Sequence, residues 1–502
     1  MSSSSGPGVP DLRARVLGGL GWVVGSQVGL QITRAIAAIA IARLLTPEEY
    51  GLAALALVFA SLVLVFSDLA LGAALIQRKE LSAVDRDTAF WATLASGVLF
   101  AVLGFVLAGP LASLYGDADA KPLLQVLSIG FVVNALGAPQ QSLMLRDMDF
   151  RRVEMLPTLG AIAGAVAGVV LAANGAGAWA IILQYGVAAL VTTALVWVRS
   201  PWRPRFAFSG ASLRDLGGFS VYMLGHRLLY YFQTNGDRFL IGRFLGTAPL
   251  GAYAIAFNTI LQPASKIGGP LQRVMSPAFC RIQDEPARIA QAWARVVRIL
   301  AAVSIAPLAV LAVVAPDFVP VVLGGQWEKA VPVIQILAWV GIVQALQSLS
   351  VDVLMARDRA RTIFRVTVLI VGCHLAAFAL GLNWGIVGVS VAFAISTTLV
   401  EPWQTVLAAR ALGVSPLVFL RAISGVFQAA AGMCLVTLGV RMALVDAGVH
   451  EALRLVICVG VAVPVYAALC WWRAPELAGE ARSLLGRRRA RTATSPAALA
   501  VE

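Results

Sequence analysis

The sequence predicts an all-α polytopic membrane protein with about 14 transmembrane helices. They form two pseudo-two-fold-related six-helix lobes plus two extra C-terminal helices. Three observations predict it. Of 502 residues, 59% are hydrophobic and only 13% charged, which excludes an ordinary soluble protein. Apolar windows long enough to span a bilayer recur from end to end. The chain also repeats itself at a nearly fixed offset.

The spans follow in order. Residues 1–16 read as a disordered cytoplasmic lead. The apolar run after it is too long for a signal-peptide core, so 17–42 is expected to be an uncleaved first span. The remaining spans are expected at 50–76, 88–114, 121–145, 155–173, 177–198, 217–244, 248–275, 293–316, 330–356, 361–381, 385–408, 417–440 and 452–472. The domain plan is therefore an N-lobe at 17–198, a cytoplasmic linker at 199–216, a C-lobe at 217–408, spans 13 and 14 at 417–472, and a basic disordered tail at 473–502. The loop at 276–292 carries Arg281, Ile282, Arg288, Ile289 and, just beyond it, Trp293, the pattern of an amphipathic surface helix.

Orientation follows from the Lys/Arg bias. With the N-terminus inside, 29 basic residues fall in cytoplasmic segments, six outside and four within spans, of the 39 in the chain. An even number of spans puts both ends in the cytoplasm. The tail, with Arg487, Arg488, Arg489 and Arg491, is placed to touch anionic lipid.

The repeat sets the lobes. Shifting residues 16–56 by 200 positions superposes Gly18 on Gly218, Gly25 on Gly225, Arg43 on Arg243, Gly51 on Gly251 and Ala56 on Ala256. A second register at 210 pairs Pro122 with Pro332, Gln125 with Gln335 and Leu136 with Leu346. Six spans separate the copies, so both have the same orientation. Parallel repeats of this kind mark transporters that bind substrate between lobes near the midplane.

The seventh span, 217–244, carries His226, Arg227, Gln233, Asn235, Asp237 and Arg238. Ionisable groups at bilayer depth are costly and point to function. Arg227, Tyr231, Thr234 and Arg238 share one helix face, and His226, Tyr230, Gln233 and Asp237 share the adjoining row. At the shift of 200, Gln27, Gln31 and Arg34 of span 1 superpose on Arg227, Tyr231 and Thr234. Two such faces meeting at a pseudo-two-fold would line a cationic cavity. Arginine suits phosphate through its planar, bidentate fork. The alternative is that each arginine pairs with a helix neighbour or snorkels to an interface.

Span 8 adds Asn258, Gln262 and Lys266 beside Pro263 and Gly268-Gly269-Pro270, either a hinge at the cavity or a kink that aids packing. The intramembrane acids Asp68, Asp237, Asp352 and Glu401 are candidates for ion coupling. Asp237 can equally be the ion-pair partner of Arg238, Asp68 could pair with Lys266 across the lobes, and Asp352 lies near an interface. Trp179, Trp327, Trp384, Trp471 and Trp472 fit an aromatic belt. The Gly-rich strings at 160–168 and 385–388 suit close helix packing. Five cysteines without metal or disulfide spacing, and three histidines, leave no expected metal site. No cofactor, no catalytic constellation and no nucleic-acid partner are expected.

LLTPEEYGLAALA (44–56) after an arginine-bearing first span, and GDRFLIGRFLGTAPLGAYAIAFN (236–258), resemble the Wzx/WzxC-type oligosaccharide flippases of the multidrug/oligosaccharidyl-lipid/polysaccharide exporter superfamily. GGQWEKAVPVIQILA (324–338) and GAGAWAIILQ (175–184) are similar to the same family, and the resemblance covers about residues 15–415. It implies fourteen spans in two lobes and translocation of undecaprenyl-pyrophosphate-linked sugar repeat units from the cytoplasmic to the periplasmic leaflet of the inner membrane. It implies basic cavity residues against the pyrophosphate, which Arg34, Arg238 and Lys266 fit. It implies as partners the lipid-linked oligosaccharide, membrane lipid, and the polymerase and glycosyltransferases of the same pathway, with the chain as a monomer. A lipid-tail groove near spans 13 and 14 is a further implication, though no motif there matches.

The resulting reading is a lipid-linked oligosaccharide flippase working by alternating access, and not an enzyme. Its rivals are a lipid II-type flippase, a multidrug/cation antiporter of the same fold, and a membrane polysaccharide polymerase or ligase. A cation antiporter would want acids on its stripes, where this chain puts bases. A polymerase or ligase would want a large outside loop with catalytic groups, and the longest here is about 317–329.

Overall fold

The computed structural model describes residues 29–31, 33–67, 72, 75, 76, 78, 81–216 and 221–477. Within them, the side chains of 62–67, 150, 215, 216, 221–228, 230, 262–270, 273, 274 and 360 lie outside the description. The described residues are helices and their connections. Nine stretches among them are long and apolar enough to cross a membrane. Packing divides the chain into two compact units, Met1–Ala254 and Ile255–Glu502.

The first unit holds α1 (33–44), α2 (Pro47–Ser67), α3 (Ala83–Tyr115), α4 (Ala120–Arg146), α5 (Phe150–Ala173), α6 (Ala178–Arg199), the short α7 (Gly210–Leu216), α8 (Val221–Phe244) and the first two turns of α9 (Thr247–Arg281). The helix starts are set by polar caps rather than by hydropathy, so several begin earlier than their apolar runs. Thr46 and Glu49 cap α2 reciprocally, with Pro47 supplying the first-turn φ. Ser82 and Asp85 form the same box at α3, which begins at residue 83 rather than the expected 88. Asp149 accepts from the Arg152 amide and starts α5 at 150 rather than 155.

Small residues bring these helices together, as expected where lipid offers no hydrophobic drive for association. A methyl placed on Gly160 would lie 2.0 Å from the Thr192 hydroxyl, and one on Gly164 would lie 2.4 Å from the Gln184 carbonyl. The glycine string of α5 is thus the seam against α6. The closest approach is between α2 and the start of α9. A methyl on Gly51 would sit 1.8 Å from the Thr247 carbonyl oxygen, and one on Gly251 1.9 Å from the Pro47 carbonyl oxygen. Both pairs differ by the 200-residue repeat, so the contact is reciprocal: each copy's first turn packs on the other's glycine.

Residues 200–212 are strapped to the N-terminal end of α3. Asp87 accepts from the Arg205 amide, Trp91 donates to the Arg205 carbonyl, and Thr88 accepts from the Ser209 amide. Ser212 donates to Asp85, and Phe206 stacks on Trp91 with centroids 5.0 Å apart. The expected linker is fastened over this stretch to the helix bundle before it.

The second unit holds the rest of α9, then α10 (Pro286–Phe318), a π-helical turn (Val319–Leu323), a 3-10 turn (Gly325–Ala330), α11 (Val331–Ala356), α12 (Ala360–Gly381), α13 (Gly385–Val400), α14 (Pro402–Ala411), α15 (Leu417–Asp446) and α16 (Glu451–Arg473). Helix α9 is continuous through Pro263 and Gly268-Gly269-Pro270. Three expectations change here. No separate surface helix forms at 276–292, because α9 extends to Arg281 and α10 begins at Pro286, with Ile289 and Trp293 fully buried. Trp327 is fully buried rather than interfacial, while Trp384, Trp471 and Trp472 are exposed. The twelfth span is split at Glu401, where Pro402 cannot donate to the preceding turn.

The last two helices are clasped to α10. Buried Asp317 receives Arg441 of α15 at 2.5 Å and Arg454 of α16 at 2.7 Å. Toward the other end, Tyr466 donates to the Ala302 carbonyl and Arg298 pairs with Glu476.

Candidate functional site

The candidate residues fall on both units. In the first, α1 carries Gln31, half-buried, and Arg34, exposed. On α8, Gln233 and Arg238 are half-buried and Asp237 is buried. The geometry of α8 explains how it is held. Tyr231 is buried and donates to the Val58 carbonyl of α2 at 3.2 Å. Two turns later, Asp237 accepts from the Tyr253 hydroxyl of α9 at 2.7 Å and from the Arg238 amide at 2.8 Å. Tyr115 of α3 meets Phe239 edge-on at 5.7 Å. The helix is therefore mounted on three neighbours through its aromatic and acidic side chains.

That mount revises the stripe. Tyr231 sits on the same face as Thr234 and Arg238, yet its hydroxyl is a packing anchor and not a ligand. Thr234 and Asn235 hydrogen-bond back to the Tyr231 carbonyl. Asp237 is held by Tyr253, a partner that no pattern on α8 itself announces. Gln27 and Asp68 lie outside the described residues. Arg227 and Lys266 lie on α8 and α9, with side chains outside the description.

In the second unit, Asn258 is half-buried on α9. Asp352 is 5% exposed, and Gln272 and Ser276 of α9 approach its carboxylate. The long helix α9 reaches past the expected border and covers it. Glu401 is also buried, at the break between α13 and α14. Gln344 of α11 donates to its Oε1 at 3.4 Å, and Nε2 of His374 on α12 lies 4.0 Å from the same oxygen. One turn along, Thr405 hydrogen-bonds Gln347 and stands 3.1 Å from the Ser350 hydroxyl. Sequence reasoning missed His374 as a companion of Glu401. The available signal was that His374 stands deep in the eleventh span, where an imidazole needs a reason to be. Among the described residues, no group of three His, Cys, Asp or Glu side chains could hold a metal ion.

Comparison with known proteins adds three findings. Residues 40–332 match a family described as polysaccharide biosynthesis protein. The lipopolysaccharide biosynthesis protein WzxC of Escherichia coli K12 is 28% identical over 385 residues, 76% of this chain and 78% of that protein. The succinoglycan biosynthesis transport protein ExoT of Rhizobium meliloti 1021 is 31% identical over 322 residues, 64% of this chain and 65% of that protein. Among solved structures, the lipid II flippase MurJ in an inward closed conformation superposes with a TM-score of 0.71. It covers 91% of this chain and 99% of its own at 13% identity, a likeness of fold alone.

Proposed function

This chain belongs to the polysaccharide biosynthesis protein family, and from that premise we propose that it flips undecaprenyl-pyrophosphate-linked oligosaccharide repeat units across the bacterial inner membrane. It is an integral membrane protein and a transporter, not an enzyme. The observation that carries the reading is the family match over 40–332, joined by relatives named for making different surface polysaccharides. The product would be surface polysaccharide: O-antigen, capsule or exopolysaccharide.

The mechanism needs no covalent chemistry. A diphosphate headgroup carries negative charge into a low-dielectric region, and fixed cations and amide donors offset that cost. Arg34 and Arg238 would hold the diphosphate, with Arg227 and Lys266 as further cations. Gln27, Gln31, Gln233 and Asn258 would donate to sugar hydroxyls. The isoprenoid tail would stay in lipid while the headgroup crosses by alternating access. Both termini would lie in the cytoplasm, as the basic-residue bias supports. The chain would work as a monomer beside the polymerase and glycosyltransferases of its pathway.

A second reading on the same fold is flipping of lipid II itself. Leaflet-resolved transport in proteoliposomes, with labelled lipid-linked oligosaccharide in one arm and labelled lipid II in the other, separates the two. The first reading requires transport in the first arm, reduced about tenfold or more by Arg34→Ala/Arg238→Ala, the loss of two charge-assisted contacts to the diphosphate. Full activity of that double variant would remove the two arginines from the site.

A further inference from the structure

We propose that His374 and Glu401 together form a proton-binding site inside the second unit, and that the proton they share exchanges with water during the transport cycle. This rests on the transport reading above and adds to it the coupling ion and its host residues.

Two helices and one break build the site. The imidazole comes from α12, an amide from Gln344 of α11, and the carboxyl from the residue that separates α13 from α14. His374 is 1% exposed and Glu401 4%. Neither ring nitrogen of His374 has a hydrogen-bond partner among the described residues. The rest of the imidazole faces Phe393, edge-on at 5.0 Å, and Phe378 at 6.2 Å. One turn before Glu401, the buried hydroxyls of Ser396 and Thr397 are likewise without partners.

The charge count decides what this cluster wants. With neutral imidazole and ionised carboxylate, the pocket holds one buried negative charge against phenyl rings. An unpaired ion so placed costs several kcal/mol. One proton removes that net charge, whether it sits on Glu401 Oε or on a His374 nitrogen, and it also supplies the missing N–H···O or O–H···N partner. A second proton would restore a net charge. The pair is therefore built for one exchangeable proton. Hard metal cations favour shells of oxygen, and here one face of the site is an imidazole.

Helix α9 packs on α11 through Gln272 and carries Lys266 and Arg273, whose side chains lie outside the description. On the elements packed here, the other titratable or charged groups are Asp352 on α11, Cys373, Arg361 and Arg365 on α12, and Arg410 on α14. Cys373 is the chain neighbour of His374. The charged ones stand eight or more residues along their helices from Gln344, His374 or Glu401, about 12 Å at the rise of an α-helix. The charged groups of α10, which packs on α11, are Arg288, Arg295, Arg298 and Asp317, all toward its ends.

A row of buried polar side chains leads away from the pair. Gln344, Gln347 and Ser350 recur at every third residue of α11, on one side of the helix. Thr405 bridges Gln347 and Ser350 across from α14. These side chains lie between Glu401 and the end of α11 that carries Asp352, Gln344 bonded to Glu401 and Thr405 joining Gln347 to Ser350. Glu401 precedes Pro402, whose missing N–H leaves a helical bond unmade beside the carboxyl.

The test uses the full chain in lipid nanodiscs and proteoliposomes, with Glu401→Gln and His374→Gln variants checked for monodispersity. Infrared difference spectra on acidification should show a protonated-carboxyl band that Glu401→Gln removes or an imidazolium band that His374→Gln removes, with the titration midpoint moved in the other variant. Neither band appearing overturns the proposal. In proteoliposomes, oligosaccharide transport should respond to an imposed pH gradient in the unmodified protein and lose that response in both variants. A band unchanged by either substitution overturns the proposal. So does a band that sodium titration at fixed pH abolishes, since the site would then be a sodium site. If the band behaves as expected but no lipid-linked oligosaccharide moves, the proton site stands and the transport reading falls.

Discussion

The reciprocal crossing of Gly51 and Gly251 makes the sharpest quantitative prediction. Alanine at position 51 puts a methyl 1.8 Å from the Thr247 carbonyl oxygen, and alanine at 251 puts one 1.9 Å from that of Pro47. Ordinary contact requires roughly 3.4 Å or more, so either methyl must push the two helix starts apart by about 1.5 Å. The obstacle in both cases is backbone, which cannot rotate away as a side chain could. Overpacking of this kind costs about 1–3 kcal/mol. The two methyls enter one crossing, so once the helices have parted for the first, the second finds room. The double variant should therefore lose clearly less than the sum of the singles, a coupling of about 0.5–3 kcal/mol. Unfolding by sodium dodecyl sulfate titrated into mixed micelles, on both singles and the double, reads these differences. Strict additivity, or a harmless Gly51→Ala, would refute the reciprocal contact.

Other substitutions test the remaining contacts. Asp317→Ala leaves Arg441 and Arg454, with side chains only 19% and 15% exposed, facing each other without their acid. The cost should be about 3–5 kcal/mol, seen as early protease cleavage between α15 and α16, with Asp317→Asn intermediate. Tyr253→Phe removes the hydroxyl from buried Asp237 and should cost about 1–3 kcal/mol in the same unfolding assay. Tyr231→Phe should cost about 1 kcal/mol and leave the apparent affinity for the lipid-linked substrate unchanged, whereas Arg238→Ala should weaken it.

The helical membrane fold was legible because apolar length is a one-dimensional signal, and the borders of α4, α6, α11, α12 and α16 fall within a residue or so of their apolar runs. Where caps lie outside those runs, as at Ser82 and Asp149, the borders shift. The repeat was legible too, and Gly51 and Gly251, matched only as letters 200 apart, prove to touch. Azimuth was harder. A helical face can be read from spacing, but the neighbour that covers it cannot, so the polar stripe gave no sign that Tyr231 is anchored on the Val58 carbonyl. Trp327 shows the same limit, since tryptophan near a span end signals an interface and a packed corner alike. The Glu401 cluster was half legible. The acid and its proline stood out in one span, but Gln344 and His374 come from two other helices, and no periodicity links residues 57 and 27 positions away.

The clasp at Asp317 has a consequence for how the chain is made. Its second cation, Arg454, is 137 residues downstream. At roughly 5–20 residues per second of synthesis, the aspartate waits on the order of ten to thirty seconds for its counter-charge. During that interval the nascent helix α10 carries an uncompensated acid that the insertion machinery must tolerate. A message truncated before codon 441 would leave that acid orphaned for good.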